Sequence, residues 1–394
     1  MLLAFTVLYH VGLFGIPDVV LNFYYVSLGY SPVDIALLAS VPRIAGLLSG
    51  LPVGLFSSRL GERRVLVIST LGAGACLALT VLVPSMLSLL IARFFLGFFY
   101  GAGQIVLSTL MLRSVRAERA NLYFSVFNII SMTCMAFGNL IGGYLPTWLA
   151  GADFATSSRG YGSALLFCTF LITLSVIPLF GIVNAPQKRK TSDSLLTKIP
   201  YKLISFLCIP MLTFGFTGGL TFPFYNLLFR TTFSLPDQAI GQLLGFGSLS
   251  MALLPMLNPW LARRFGSSTA LSILMLVASV AFFVLGAASG MGILATSIIA
   301  YLIAIGTRNT MQPLFQPLLM GRLAPELHNI GNSIAMVIWN VGWFTATAIS
   351  GILQTQVGYP AIMIIVSAGV FITAISMFVI YRYPSSEMLQ VVEV

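Results

Sequence analysis

Charge is scarce in this chain, and the scarcity excludes a good deal. Only 8% of the 394 residues are charged, and just 10 are acidic. A soluble domain cannot keep its surface in water with so few. The two histidines, His10 and His328, stand too far apart to suggest a metal centre. The four cysteines, Cys76, Cys134, Cys168 and Cys208, lie scattered in apolar runs without paired spacing. They read as small buried hydrophobes rather than a disulfide set. No G-x-x-x-x-G-K-[S/T] loop is present, which leaves ATP hydrolysis unsupported. Nothing points to covalent catalysis, so no enzyme is expected, and neither a cofactor nor a metal. The first apolar run lacks a basic start and outlasts a signal h-region, so no cleavable leader is expected. The formal net charge of +10 invites a nucleic-acid reading, but the charges sit in short turns and no nucleic-acid partner is expected.

What the chain does have is apolar length. It is 58% hydrophobic, its mean hydropathy is +0.98, and runs of about 20 apolar residues recur throughout. The pattern predicts an all-α polytopic membrane protein, since a β-barrel would show short alternating segments. Twelve spans are expected, at about 4–28, 32–57, 65–84, 86–112, 120–148, 161–183, 203–228, 237–262, 268–288, 291–320, 329–356 and 360–381. Basic residues set the orientation. With both termini inside, the inner turns hold Arg59, Arg63, Arg64, Arg113, Arg116, Arg119, the 188–202 cluster, Arg263, Arg264, Arg322 and Arg382. The outer turns hold only Arg159 and Arg230. The expected setting is a cell (inner) membrane, with the protein as a monomer in the lipid bilayer.

The polar segment 185–202 divides the chain into an N-terminal six-helix bundle over 1–184 and a C-terminal one over 203–394 with a short cytoplasmic tail. The two sets carry matching landmarks. Asn22 and Pro32 match Asn226 and Pro236 at an offset of 204, and Arg59 and Gly61 match Arg264 and Gly266 at 205. Gly143 matches Gly351 at 208. A slowly drifting offset implies a duplicated unit, and an even number of spans per unit gives parallel repeats.

Three stretches carry a family resemblance. Gly54-Leu-Phe-Ser-Ser-Arg59-Leu-Gly61-Glu-Arg63-Arg64 resembles the loop between helices 2 and 3 of the major facilitator superfamily, with Ser58 in place of the usual aspartate. Arg93-Phe-Phe-Leu-Gly97-Phe-Phe-Tyr-Gly101 resembles its helix 4 pattern. Gly138-Asn139-Leu-Ile-Gly142-Gly143 resembles the helix 5 pattern of its proton-coupled antiporters, with Asn139 in place of proline. The resemblance implies a twelve-helix transporter in two pseudo-symmetric bundles and a small-molecule substrate. It further implies gating by Gly54, Arg59, Gly61, Arg63 and Arg64 together with Gly138, Gly142 and Gly143, and a link between Arg93 and protons.

An ionisable group inside the bilayer is costly, about 2.5–3.5 kcal/mol on insertion scales, so the few present are informative. Asp18 is the one acidic residue at mid-span depth, on a stripe with Gly15, Asn22 and Tyr25. Burial and a neighbouring arginine pull a carboxylate in opposite directions. A group balanced between them can take up and release protons, so Asp18 with Arg93 forms the expected proton-coupling pair. The alternative is a permanent structural ion pair with Arg93 or Arg43. Arg43 and Arg308 are expected at the midplane, facing a central cavity. Asn22, Asn226, Gln312, Trp339 and Asn340 are the further candidates for solute contact, with interhelical bonding and packing as the alternative for each. Proton-coupled export is the reading these residues favour. The others are an organic-anion carrier built on the membrane arginines, and a lipid- or pigment-handling assembly protein without solute turnover.

Overall fold

A computed structural model of the chain describes residues 1–50, 52–53, 57, 60–114, 120–181, 201–324 and 327–382. The 185–202 segment, apart from 201–202, and the C-terminal tail lie outside them. The described residues are helical almost throughout. Nine helices among them are long and apolar enough to cross a membrane, or ten if Tyr201–Leu207 and Ile209–Phe233, bent by 47°, form one span. The remaining two expected spans are present in shorter pieces. Span 2 is Pro32–Leu48, and span 10 is Leu294–Arg308 followed by Met311–Met320.

The ends of the spans follow local chemistry. Ser31 and Asp34 form a capping box before span 2: Asp34 N donates to Ser31 Oγ at 3.2 Å, and Ser31 N donates to Asp34 Oδ2 at 3.0 Å. Gly61 precedes span 3 at φ 82°, ψ 149°, and Gly266 precedes span 9 at φ 80°, ψ 149°. That region is open essentially to glycine alone. Two positions 205 residues apart thus share one rare backbone geometry, as a duplicated unit requires.

Several spans are interrupted or carry a proline within them. Span 1 runs as Leu2–His10, a π-helical turn over Val11–Gly15, and Ile16–Ser27 with Pro17 near its start. Proline removes an amide and so frees the carbonyl four residues earlier. In a bilayer that carbonyl needs another donor. Pro42 frees Leu38, whose carbonyl accepts from Arg93 Nε of span 4 at 3.1 Å. Pro255 frees Met251, whose carbonyl accepts from Asn309 Nδ2 of span 10 at 2.8 Å. Pro223 frees Gly219, whose carbonyl lies 3.0 Å from the Thr347 hydroxyl of span 11, which also reaches Trp343 O at 2.8 Å.

The chain packs as two compact units. One holds Met1–Arg189 and Pro223–Leu249, the other Lys190–Phe222 and Ser250–Val394. Beyond residue 201 the chain passes from one to the other within spans 7 and 8. In the second unit the pairs spans 9 and 12, 7 and 11, and 9 and 10 make the densest packing. In the first, spans 3 and 4 and spans 2 and 4 do so.

Candidate functional site

In the first unit, Asp18 sits half-buried in the first turn after the π-helical segment. The cations that act on its carboxylate are Arg43 of span 2 and Arg93 of span 4. Arg43 in turn neighbours the Tyr100 phenol as well as Asp18 and Arg93. The expected acid and both expected first-half arginines therefore share one cluster. Arg93 also caps the Leu38 carbonyl of span 2 through its Nε. Tyr100 was not singled out in the sequence. It lies seven residues after Arg93 and hence on the same helical face, which is the signal that would have found it. Tyr25 is 1% exposed, and its hydroxyl has no hydrogen-bond partner among the described residues.

One turn on from Asp18, the Asn22 and Asn226 pair predicted from the repeat meets directly. Asn22 Nδ2 donates to Asn226 Oδ1 at 3.0 Å and to Pro223 O at 2.6 Å. Asn226 Nδ2 donates to the backbone carbonyls of Asp18 at 3.1 Å and Val19 at 3.0 Å, and Asn226 Oδ1 also accepts from Leu227 N. Both amides are engaged inside the protein. Towards the end with the 151–157 and 234–236 turns, Tyr161 Oη donates to Asp237 Oδ2 at 2.6 Å. Arg230 Nη1 donates to Tyr161 Oη at 3.0 Å and stands 3.6 Å from Asp237 Oδ1. The Arg230 guanidinium also covers the Phe23 ring at 4.2 Å. In sequence, Arg230 and Asp237 read as ordinary turn charges, and nothing local marked Tyr161.

The helix 5 glycines explain how the backbones come so close. A Cβ on Gly138 would meet Gly15 Cα at 2.7 Å, and one on Gly142 would meet Ile16 Cα at 3.1 Å. A Cβ on Gly143 would fall 2.6 Å from Asp237 O of span 8. Asn139 stands where the resembled pattern has proline because its amide is used: Nδ2 donates to Ser248 Oγ at 3.0 Å and Leu244 O at 3.3 Å.

In the second unit, Arg308 is 8% exposed at the last residue of Leu294–Arg308. Its Nη2 donates to Phe214 O, and its guanidinium lies over the Phe214 ring at 4.0 Å. Gly218 makes room, since a Cβ there would meet Arg308 Nη2 at 2.5 Å and the Trp343 ring at 2.6 Å. The midplane arginine expected on an open cavity is thus packed among spans 7, 10 and 11 of its own unit. Trp339 and Trp343 stand edge to face at 5.3 Å. Asn340 Nδ2 donates to Met336 O within its own helix at 2.9 Å. Gln312 is half-buried one turn past the break in span 10.

The sequence of the whole chain agrees with this architecture. Residues 3–347 match the family model of the Major Facilitator Superfamily. The chain belongs to that superfamily. It is accordingly a multi-pass membrane transporter and not an enzyme. Solved superfamily structures share its fold. The nucleoside transporter NupG superposes with a TM-score of 0.77 at 14% identity, covering 97% of this chain and 99% of that one. The D-xylose-proton symporter gives 0.78 at 13%, covering 96% and 95%. A bacterial homolog of the human lysosomal transporter Spinster, inward-facing and occupied, gives 0.76 at 13%, covering 97% and 96%. Identities this low establish shared fold only. No curated protein matches the chain in sequence.

The superfamily's loop between helices 2 and 3 is described in part. Gly54 and Arg59 lie outside the described residues. Gly61 adopts the glycine-only geometry, Arg63 stands over the Phe180 ring at 5.3 Å, and Arg64 is exposed. Gly138 and Gly142 pack span 5 on span 1, while Gly143 packs it on span 8.

Proposed function

We propose that this superfamily member is a secondary active transporter of a small organic solute, working by alternating access between two six-helix halves as a proton-coupled exporter. Asp18 is the proton-linked group. The position of Asp18 carries the reading. Its carboxylate is within reach of the charges of Arg43 and Arg93, while its own backbone carbonyl, with that of Val19, is gripped by Asn226. A proton gained or lost there changes the charge of the cluster by one unit at the turn that ties span 1 to span 7. Proton occupancy and helix contact are thereby linked, which coupling requires. In this reading Asn22 and Asn226 hold the seal, and solute contact falls to Arg43, Gln312, Trp339 and Asn340. Arg308 joins them only when its guanidinium leaves the Phe214 carbonyl. Both termini and the 185–202 linker between the halves are cytoplasmic, the protein sits in the inner membrane as a monomer, and the Asn22, Tyr161 and Asp237 contacts close the external end.

A second reading, an organic-anion carrier, draws on the same cluster, where the charges of two guanidiniums act on one carboxylate. Purified protein in liposomes separates the two. Ethidium, uridine and benzenesulfonate serve as planar probes of positive, zero and negative charge, each with and without an imposed pH gradient. Uphill movement of ethidium or uridine only when the gradient is present supports the exporter. Movement of benzenesulfonate alone, indifferent to pH, supports the anion carrier. Leakage no faster than through empty liposomes for all three would sink both.

A further inference from the structure

Beside the Arg230 and Asp237 pair, the first unit contains a cavity of about 360 Å³. That volume is at the lower end for small-molecule sites. The cavity is distinct from the Asp18 cluster, and its charged lining consists of Arg230 and Asp237. Thr147, Ser234 and Gln238 add hydroxyl and amide groups, and Leu235 and Pro236 supply an aliphatic wall. We propose that this vestibule binds a small zwitterion of the α-amino-acid type, its carboxylate on Arg230 and its ammonium on Asp237.

The charge pattern selects that class. One guanidinium and one carboxylate give the lining no net charge, so a simple anion or a simple cation satisfies one wall and is repelled by the other. A solute carrying both charges a few ångströms apart satisfies both. The two protein groups also keep bonding capacity for it. Among the described residues, hydrogen bonds reach the guanidinium only at Nη1, through Tyr161. This leaves Nε and Nη2, the fork that receives a carboxylate in bidentate fashion. Asp237 Oδ2 is taken by Tyr161, whereas Oδ1 lies 3.6 Å from Arg230 Nη1, beyond a tight hydrogen bond. Oδ1 therefore retains lone pairs for an ammonium. The solute charges stand in for those the pair now offer each other, so no charge is left bare on binding. The assignment does not depend on transport direction or on the role of Asp18.

Thr156 is exposed at the cavity wall, and the four native cysteines are buried. A Thr156→Cys variant therefore reports on the vestibule through its rate of maleimide labelling. The probes are valine, valinamide and N-acetylvaline, identical in side chain and differing in charge. Valine is expected to slow labelling several-fold, and each derivative to need at least about tenfold more, the loss of one charge-assisted contact. Arg230→Gln and Asp237→Asn should each remove the advantage of valine, while Arg159→Gln, outside the cavity, should preserve it. Equal protection by either derivative overturns the proposal. So does a lack of protection by valine at roughly 10 mM, or valine selectivity that survives Arg230→Gln. The comparison of the three probes on Thr156→Cys alone decides the matter if the charge variants fail to fold.

Discussion

Gly61 and Gly266 tie backbone geometry to sequence at single positions. Each holds φ near +80° with ψ at 149°, where a Cβ is strained whatever space surrounds it. Gly61→Ala and Gly266→Ala should each cost about 1–3 kcal/mol, seen as a lower midpoint in thermal unfolding of the detergent-solubilised protein. The glycine requirement was legible in the sequence because a short return turn between apolar spans demands it. The roles of Arg230 and Asp237 were not. Asp237 pairs with Tyr161, 76 residues away, and only packing brings them together. Asn139 was legible as a departure from the family pattern, but its reason, the Ser248 hydroxyl, lies 109 residues away.

At the scale of elements, the interrupted spans are repaired by their neighbours in the same way in both halves. A side chain of span 4, 10 or 11 supplies the donor that a proline has removed from span 2, 8 or 7. This yields a test by double-mutant cycle. Asn309→Ala should destabilise by about 0.6–1.7 kcal/mol, the range of polar contacts between membrane helices. In a Pro255→Ala background the restored amide can bond Met251, and the effect of Asn309→Ala should shrink towards zero. Additive effects in the denaturation midpoints would show that Asn309 stabilises by another route. The spans themselves were readable from hydropathy. Their breaks were readable only where proline marked them, and the π-helical turn over Val11–Gly15 carried no composition signal beyond its glycines.

At the scale of the molecule, alternating access as proposed opens and closes the external end, where span 5 packs on span 8. Gly241 and Gly143 permit the approach, because a Cβ on Gly241 would meet Asn139 O at 2.6 Å and Gly143 Cα at 2.9 Å. Gly241→Val should therefore hold these helices apart and stop turnover. The rate of maleimide labelling at Ser248→Cys, a position now 1% exposed, should rise at the same time. Unchanged labelling in a monodisperse Gly241→Val sample would remove the close approach of spans 5 and 8 from the mechanism.

The coupling role of Asp18 is the central claim, and it has a direct measurement. Asp18→Asn keeps the size of the side chain and removes its titration, leaving Arg43 and Arg93 without the carboxylate. The measurement is uphill accumulation, driven by a pH gradient, of whichever probe solute the parent protein moves in liposomes, alongside exchange of the same solute at equal pH on both sides. The account predicts that the variant retains exchange and loses accumulation. Accumulation by Asp18→Asn equal to that of the parent would contradict it.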